Sequence, residues 1–183
     1  LDDLRSRLES GKEEFLKPLH KGETKRILTS LEKFDIDGLV TEMQYQRTSV
    51  GAKDFIFKIV LPVMQEIGEM VVKGKCSITQ EHIVSSIVRD QLSKINLPNT
   101  GQHLNKFALA TPEGNLHELA ILIADVLCRI NRVPTSYLGA AHPAQCLGEA
   151  VSALKCQTIV MGVISSDQWN YEKNMASYFL TLD

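Results

Sequence analysis

The spacing of apolar residues changes about half-way along the chain. From Gly22 to Ile95 these residues recur every three or four positions, which is the spacing of one face of an amphipathic helix. Four such segments joined by short links predict a four-helix bundle. After residue 104, short apolar runs alternate with amphipathic segments in the order strand, helix, strand, helix, strand. That order predicts right-handed crossovers and a parallel sheet, so the chain of 183 residues is expected to hold two domains of different class.

A turn-rich segment separates the two patterns. The stretch NLPNTGQ, residues 96–102, contains Leu97 as its one apolar side chain. We therefore predict a helical bundle over 1–95, a linker over 96–104 and an open, parallel-sheet, Rossmann-like (flavodoxin-like) domain over 105–183. A complete domain of this kind has about five or six strands. Because only three strands are predicted, we expect this domain to be incomplete at its C-terminal edge.

Local signals mark helix ends within the predicted bundle. Ser77 or Thr79 is suited to cap the last helix, with Gln80 or Glu81 close behind as the partner in a capping box. In the preceding helix, Pro62 predicts a kink or a limit on where the first turn begins.

The sequence also predicts the apolar face of the first helix and the end of the third. Ile27, Leu28 and Leu31 lie on one face, and the spacing extends that face to Phe34. Gly74 is placed to end the third helix.

Composition excludes several classes of function. The chain has 22 acidic and 20 basic residues and a net charge of −2, which gives no basic surface for nucleic-acid binding by these residues. No apolar run approaches the ~20 residues that span a bilayer, and the first residues lack the order of a signal peptide. We therefore predict a cytoplasmic protein. The four cysteines, without C-x-x-C spacing, are expected to be buried thiols rather than disulfides or zinc ligands: Cys76, Cys128, Cys146 and Cys156.

Two places in the sequence carry candidate chemistry. His117 follows the first predicted strand, at the edge of a parallel sheet where ligands bind, and its imidazole can coordinate a metal if an acceptor holds the other ring nitrogen. The amide oxygen of Asn115 is a candidate for that acceptor. The alternative is a solvated or capping histidine. Glu81 and His82 lie together at the start of the last bundle helix, where an acidic first turn is also an ordinary helix start.

Two separated motifs carry a resemblance to a known family. The stretch IGEMVVKGKCSITQEHIVSSIVRDQL and, after the linker, LATPEGNLHELAILIADVLCRINRVPTSYLG resemble the cobalamin-binding sensory region of MerR-type transcription regulators. These regulators include the light-sensing adenosylcobalamin photoreceptors. The resemblance extends from about Phe15 to the end of the chain. It implies a sensory and oligomerisation region, not an enzyme, that binds cobalamin between the bundle and the Rossmann-like domain.

The resemblance also implies partners and roles for single residues. DNA would be bound through an N-terminal domain not in this chain, and the protein would be a homo-oligomer, a dimer or a tetramer. The cobalt ligand would be His117. The Glu81–His82 pair would close over the upper face of the corrin, and small residues would line the path of the nucleotide tail. The positions expected to contact the cofactor are Val71, Ile78, Glu81, His82, Asn115, Glu118, Leu119, Ala120, Gly139, Ala140 and Gly162.

Four departures from the family pattern modify these expectations. Val71 and Val72 stand where light-sensing members have tryptophan and commonly histidine, so no light response of the known type is expected. Asn115 stands in place of an acidic residue, so His117 is expected to be a less basic ligand. Ala120 stands in place of glycine, and its methyl group is expected to crowd the nucleotide tail. Two alternatives remain open. One is a member that keeps the fold, has lost cobalamin and serves only assembly; the other is a corrinoid carrier protein of a methyltransferase system.

Overall fold

The computed structural model describes residues 21–97, 106–164 and 171–182. The chain divides into two compact units between Ile95 and Asn96. The predicted linker over 96–104 lies outside the described residues except for Asn96 and Leu97.

Four helical stretches form the described part of the first unit. They are α1 (Lys21–Glu32), α2 (Ile36–Ser49), a long third stretch made of α3 (Ala52–Asp54), a π-helical turn (Phe55–Val60) and α4 (Leu61–Val72), and α5 (Ile78–Ser93). Helix α1 packs on α2 and α4, and α5 packs on α2 and α4. The core consists of fully buried side chains from all four stretches, among them Ile27, Leu31, Leu39, Met43, Ile56, Val60, Val63, Ile67, Val84 and Val88. The helical part of the predicted fold is confirmed.

The third stretch accommodates Pro62 by widening before it. Pro62 has no N–H, and in a regular α-helix its ring would collide with the carbonyl four residues earlier. The Phe55–Val60 turn is π-helical instead, and the Leu61 N–H bonds to the Ile56 carbonyl, five residues back. A π-helical turn relieves this kind of conflict without ending the helix.

Helix ends in this unit follow short-range side-chain chemistry. Of the two candidate caps, Ser77 is the N-cap of α5: its hydroxyl accepts from the Gln80 N–H, and the Gln80 side chain accepts from the Ser77 N–H. Gly74 takes a left-handed φ of 67° just beyond α4. The extension of the α1 face to Phe34 was wrong. Phe34 lies beyond α1 with a φ of 53° and is 53% exposed, because the backbone turns there to enter α2.

The second unit is an open parallel sheet with helices. Its elements are β1 (Lys106–Pro112), α6 (Leu119–Ile130), β2 (Thr135–His142), α7 (Ala144–Leu154), β3 (Cys156–Met161) and α8 (Tyr171–Leu182). The strand order is β2-β1-β3, and both pairings are parallel. The predicted strand–helix alternation and the Rossmann-like class are confirmed.

The core of the sheet unit is built around the central strand. Ala108, Leu109 and Ala110 of β1 are buried, because they have a neighbouring strand on each side. Helices α7 and α8 pack against each other, and a cluster of side chains from β1, α7 and α8 lies next to them: Ala110, Leu147, Met175 and Tyr178.

Two further expectations concern membrane-spanning helices and the exposure of the cysteines. No helix among the described residues has both the length and the apolar character needed to span a bilayer. All four cysteines are free, as expected, but only Cys76 is buried. Cys128 and Cys156 are half-buried and Cys146 is exposed, so the expectation of four buried thiols was wrong. Cys146 lies on the outer face of α7, since the buried position of that helix is Leu147.

Candidate functional site

His117 lies in the segment that joins β1 to α6. Residues 113–118 follow the carboxyl end of the central strand, and the Asn115 N–H bonds back to the Pro112 carbonyl at 3.0 Å. The His117 side chain is exposed. Ligands of open parallel sheets bind outside the carboxyl ends of the strands, so this imidazole is at the edge where a ligand is expected.

The buried hydroxyl of Thr111 joins this segment to the next strand. Its Oγ1 accepts a hydrogen bond from the Ala141 N–H at 2.9 Å and donates to the Asn115 carbonyl. The end of β2 is irregular here, with register shifts against β1 and positive φ values at Gly139 (95°) and Ala141 (61°). The hydroxyl thereby satisfies backbone groups that a regular ladder would pair directly.

Asn115 has a different role from the one expected. It is 2% exposed, and its Nδ2 donates to the Ile164 carbonyl at 3.0 Å. Its Oδ1 is buried and has no hydrogen-bond partner among the described residues, so the expected bond from His117 is not formed. The amide instead ties the segment after β1 to the segment after β3. The partner lies 49 residues away, and the sequence gives no local signal for it.

Glu118 is brought next to the end of β2. Its Oε2 accepts from the Tyr137 hydroxyl at 2.7 Å, and a Cβ built on Gly139 would lie 3.6 Å from the same oxygen. Tyr137 was not among the expected site residues. Glu118 therefore lies against Tyr137 and Gly139 of β2, which pair with Leu109 and Ala110 of β1.

The remaining small residues of the expected site differ in what surrounds them. Ala120 is exposed in the first turn of α6, and Leu119 and Ala140 are half-buried. A Cβ on Gly162 would lie 2.5 Å from Ile121 Cγ2. Close packing of α6 on the sheet is therefore sufficient reason for glycine at 162.

Tyr178 of α8 is a further residue at this edge, and sequence reasoning missed it. Its hydroxyl accepts from the Glu113 N–H at 2.7 Å and donates to the His142 carbonyl. Burial raises the pKa of this phenol, with the Glu113 N–H acting in the opposite direction. The only signal available in the sequence was the amphipathic pattern of α8, which gives no hint of a bond to a residue 65 positions earlier.

The candidate residues of the helical unit lie at one end of the α4–α5 hairpin. Val71 and Val72 end α4, and Ile78, Glu81 and His82 occupy the first turns of α5. Val72 is 88% exposed and Ile78 is 65% exposed, whereas Val71 is half-buried. Apolar side chains this exposed leave a surface on which an apolar partner could be buried.

Glu81 and His82 contact each other within that turn. Glu81 Oε2 lies 3.4 Å from His82 Nδ1, while Glu81 Oε1 accepts from the Ser85 hydroxyl at 2.6 Å. His82 is exposed and Glu81 is half-buried. Burial raises the pKa of the neighbouring Cys76 thiol, and the charge of Glu81 raises it further. The Glu81 carboxylate thus lies next to the His82 ring, and the Ser85 hydroxyl helps to orient that carboxylate.

Comparison with known proteins bears on both units. Residues 23–95 match the family described as the B12 binding domain. The chain is also 31% identical over 110 residues to the HTH-type transcriptional repressor CarH of Myxococcus xanthus. The resemblance to a cobalamin-binding region is confirmed. The CarH alignment covers 60% of this chain and 36% of CarH, so the chain spans about a third of that relative.

A solved structure supports the fold of the chain. The monomethylamine corrinoid protein of Methanosarcina barkeri is similar with a TM-score of 0.54 at 13% identity, over 82% of this chain and 68% of that one. At this level of identity the similarity supports the fold alone. Helical and parallel-sheet elements in this order thus occur together in a corrinoid protein.

The described residues around His117 do not form a metal site made of protein ligands alone. Among residues 21–97, 106–164 and 171–182, no group of three or more His, Cys, Asp or Glu side chains could hold a metal ion. A zinc site would need three or four protein ligands. His117 alone can fill one position of a metal whose other ligands come from a macrocycle.

Proposed function

We propose that this chain binds cobalamin and is the sensory region of a MerR-type transcription regulator. One observation carries the proposal: His117 is an exposed imidazole at the carboxyl edge of a parallel sheet, in a segment tied to the structure by Thr111 and Asn115. The other imidazole at this edge, that of His142, lies 2.9 Å from the Leu138 carbonyl through its Nε2. The B12 binding domain match over residues 23–95 and the likeness to the repressor CarH support the same function.

The residues around His117 fit a corrinoid. The corrin ring would supply most of the cobalt ligands, and a neutral ring nitrogen of His117 would be suited to supply one from the protein. Gly139, with its positive φ, and the exposed Ala120 present little side-chain bulk at the sheet edge. When bound, the cofactor contributes a cobalt centre whose upper ligand can change.

Residues of the helical unit are also proposed to contact the cofactor. Glu81 and His82 would provide polar contacts, and the exposed Val72 and Ile78 would provide apolar area to be covered. Burial of apolar surface contributes about 25 cal/mol per Å². Valine at 71 and 72 has no aromatic face or ring nitrogen, so we expect no light response through these positions.

Regulation would follow from a difference in affinity. A cofactor that binds one association state more tightly shifts the population toward that state. We propose that this shift alters the homo-oligomer, and that DNA is contacted by a separate segment of the full protein. The chain itself is proposed to be non-enzymatic and cytoplasmic, and the exposed free thiol of Cys146 is compatible with a reducing compartment.

An assembly-only function is the second candidate. It is favoured by the buried Asn115 amide, which bonds to Ile164 rather than to His117, and by Ile121, which fills the space next to Gly162. Both features would remain useful in a chain that had lost the cofactor. The two functions differ in whether the protein retains a corrinoid.

Cofactor retention provides the test. Purified protein is mixed in the dark with hydroxocobalamin, adenosylcobalamin or methylcobalamin, desalted, and scanned for visible absorbance. We expect retained colour in the parent protein and its loss or spectral change in His117→Ala. The matched control is Leu116→Ala, which truncates the exposed neighbour and is expected to retain the parent spectrum.

Three outcomes separate the candidates. An unchanged spectrum in His117→Ala contradicts the assignment of His117 as the ligand. A parent protein that never retains colour supports the assembly-only function. A spectral change in His117→Ala with an unchanged Leu116→Ala supports the proposed coordination.

A further inference from the structure

The hydroxyl of Tyr178 connects three parts of the sheet unit. Tyr178 lies on α8 and is 3% exposed, and its ring is part of the cluster with Ala110, Leu147 and Met175. The hydroxyl at the tip of this buried ring accepts from the Glu113 N–H and donates to the His142 carbonyl. A helix near the C-terminus is thereby bonded to the ends of β1 and β2.

The two bonded backbone groups, the Glu113 N–H and the His142 carbonyl, lie at the ends of β1 and β2. Glu113 is the first residue after β1, and His142 is the last residue of β2. Glu113 begins the six-residue segment 113–118 that contains His117. Three residues separate Glu113 from His117, so the direction of the chain at Glu113 helps to set where the imidazole lies.

Other bonds of the segment act at residue 115, where the N–H donates to the Pro112 carbonyl. Thr111 binds the carbonyl of Asn115, and the Asn115 side chain binds the Ile164 carbonyl. Both fix residue 115, in the middle of the segment. The Tyr178 hydroxyl acts at a different place, the N–H of Glu113 in the first peptide of the segment.

We propose that Tyr178 is a positioning residue for His117, holding the first peptide of the 113–118 segment against the end of β2 so that the imidazole is presented in one orientation. The inference about the segment stands on the geometry alone. Its consequence for cobalt rests on the proposed function. A signal that moved α8 would then also change how well His117 can coordinate.

The size of the effect follows from the bonds that are lost. Tyr178→Phe removes the hydroxyl and keeps the ring in its cluster. A neutral hydrogen bond has a net effect on stability that corresponds to about a two- to ten-fold change in an equilibrium constant. We expect the Glu113 amide to exchange with solvent about two- to ten-fold faster in the variant.

The first experiment needs no cofactor. Hydrogen exchange at the Glu113 amide is measured by NMR in the parent protein, in Tyr178→Phe and in Met175→Leu. The last variant changes the same apolar cluster at nearly constant volume and keeps the hydroxyl, so it is expected to leave Glu113 unchanged. Equal exchange in Tyr178→Phe and the parent overturns the inference, as does equal acceleration in both variants.

The second experiment measures coordination. Protein labelled uniformly with nitrogen-15 is loaded with cobalamin, reduced to the cobalt(II) state and examined by electron paramagnetic resonance. A nitrogen-15 imidazole from the protein splits the cobalt lines into doublets, whereas the nitrogen-14 base of the cofactor gives triplets. We expect a smaller doublet fraction in Tyr178→Phe than in the parent or Met175→Leu.

The two experiments distinguish the possible failures. Doublets of equal fraction in the parent and Tyr178→Phe overturn the positioning role while the proposed function stands. A parent protein without doublets contradicts the assignment of His117 as ligand, and the exchange experiment still decides whether Tyr178 orders the segment.

Discussion

The two sets of candidate side chains are held in place by different kinds of contact. Glu81 and His82 begin a helix whose first turns are fixed mainly by bonds between residues three or four positions apart, from Ser77 to Gln80 and from Glu81 to Ser85. One long-range bond is added there, from Gln80 Nε2 to the Leu31 carbonyl. The segment of His117 has local bonds at Asn115 as well, but three further bonds at Thr111, Asn115 and Tyr178 span 30 to 65 residues.

This difference determines which changes should disturb each set. Local bonds form as soon as the helix forms, so the Glu81–His82 geometry depends on the α4–α5 hairpin. Long-range bonds form only when β2, β3 and α8 are all in place, because each supplies a partner. Changes that remove one of these partners or displace the strand that carries it should therefore reach His117, whereas removing the α5 cap should not.

The largest expected effect comes from adding a methyl group under α6. In Gly162→Ala the new Cβ would lie 2.5 Å from Cγ2 of the buried Ile121, whose branched side chain cannot turn away. We expect a loss of about 1–3 kcal/mol in the unfolding free energy of the sheet unit, with faster exchange at the amides of residues 113–117. Denaturant unfolding and hydrogen exchange measure the two effects.

The matched control is the same substitution in the other unit. A Cβ on Gly68, in α4, meets nothing within 4 Å, so Gly68→Ala should stabilise the helical unit by about 0.5–1 kcal/mol. Exchange at 113–117 should not change. If Gly162→Ala and Gly68→Ala changed exchange at residues 113–117 equally, the His117 segment and the Glu81–His82 turn would not be held by separate contacts.

A smaller effect is expected from removing the α5 cap. Ser77→Ala leaves the Gln80 N–H without its side-chain acceptor and should cost about 1 kcal/mol in the helical unit. The Glu81–His82 turn should fray, and residues 113–117 should exchange as in the parent. Ser86→Ala, an exposed change within the same helix, should be neutral or slightly stabilising. If Ser86→Ala costs as much as Ser77→Ala, the cap does not fix this turn.

The smallest effect concerns acid stability and belongs to the helical unit alone. Burial would raise the pKa of Glu42, but hydrogen bonds from Arg26 and Gln46 outweigh it and lower that pKa. Since the folded pKa lies below the unfolded value of about 4.3, this stabilisation is present above pH ~4.3 and is lost as the pH falls through the folded pKa. The unfolding free energy of the helical unit, measured between pH 6 and 3, should therefore fall less steeply in Glu42→Gln.

The partner variant tests the cause of that acid response. Arg26→Gln removes one of the two donors to Glu42 and should flatten the same part of the profile. The sheet unit should respond to neither substitution. A profile that keeps its full slope in both variants would assign the acid response to other groups.

The fold and part of the site were predictable because their signals are local. The change of apolar spacing predicted the helical and sheet parts, and the Ser77–Gln80 spacing predicted the α5 start, with Thr79 and Glu81 as the alternative. The β1–α6 segment was placed at the sheet edge by topology alone. Each of these inferences needs only residues that are neighbours in the sequence.

The rest was not predictable because it depends on partners that are distant in sequence. Asn115 was expected to orient His117, but its amide finds the Ile164 carbonyl when β3 pairs with β1. Nothing in the sequence indicated the role of Tyr178, because a tyrosine in an amphipathic helix usually packs in the core. Gly162 was expected to line the path of the nucleotide tail, although the close approach of Ile121 of α6 also requires glycine at this position.

The π-helical turn at Phe55–Val60 has an effect well beyond Pro62. An extra residue in one turn rotates everything that follows by about 100° around the helix axis. At the far end of the same helix, Val72 is 88% exposed and Val71 is half-buried. The rotation about the helix axis that the π-helical turn introduces therefore sets which of the two valines is exposed. Deleting one residue between 55 and 60 would change that phase and present a different side chain at the α4–α5 hairpin.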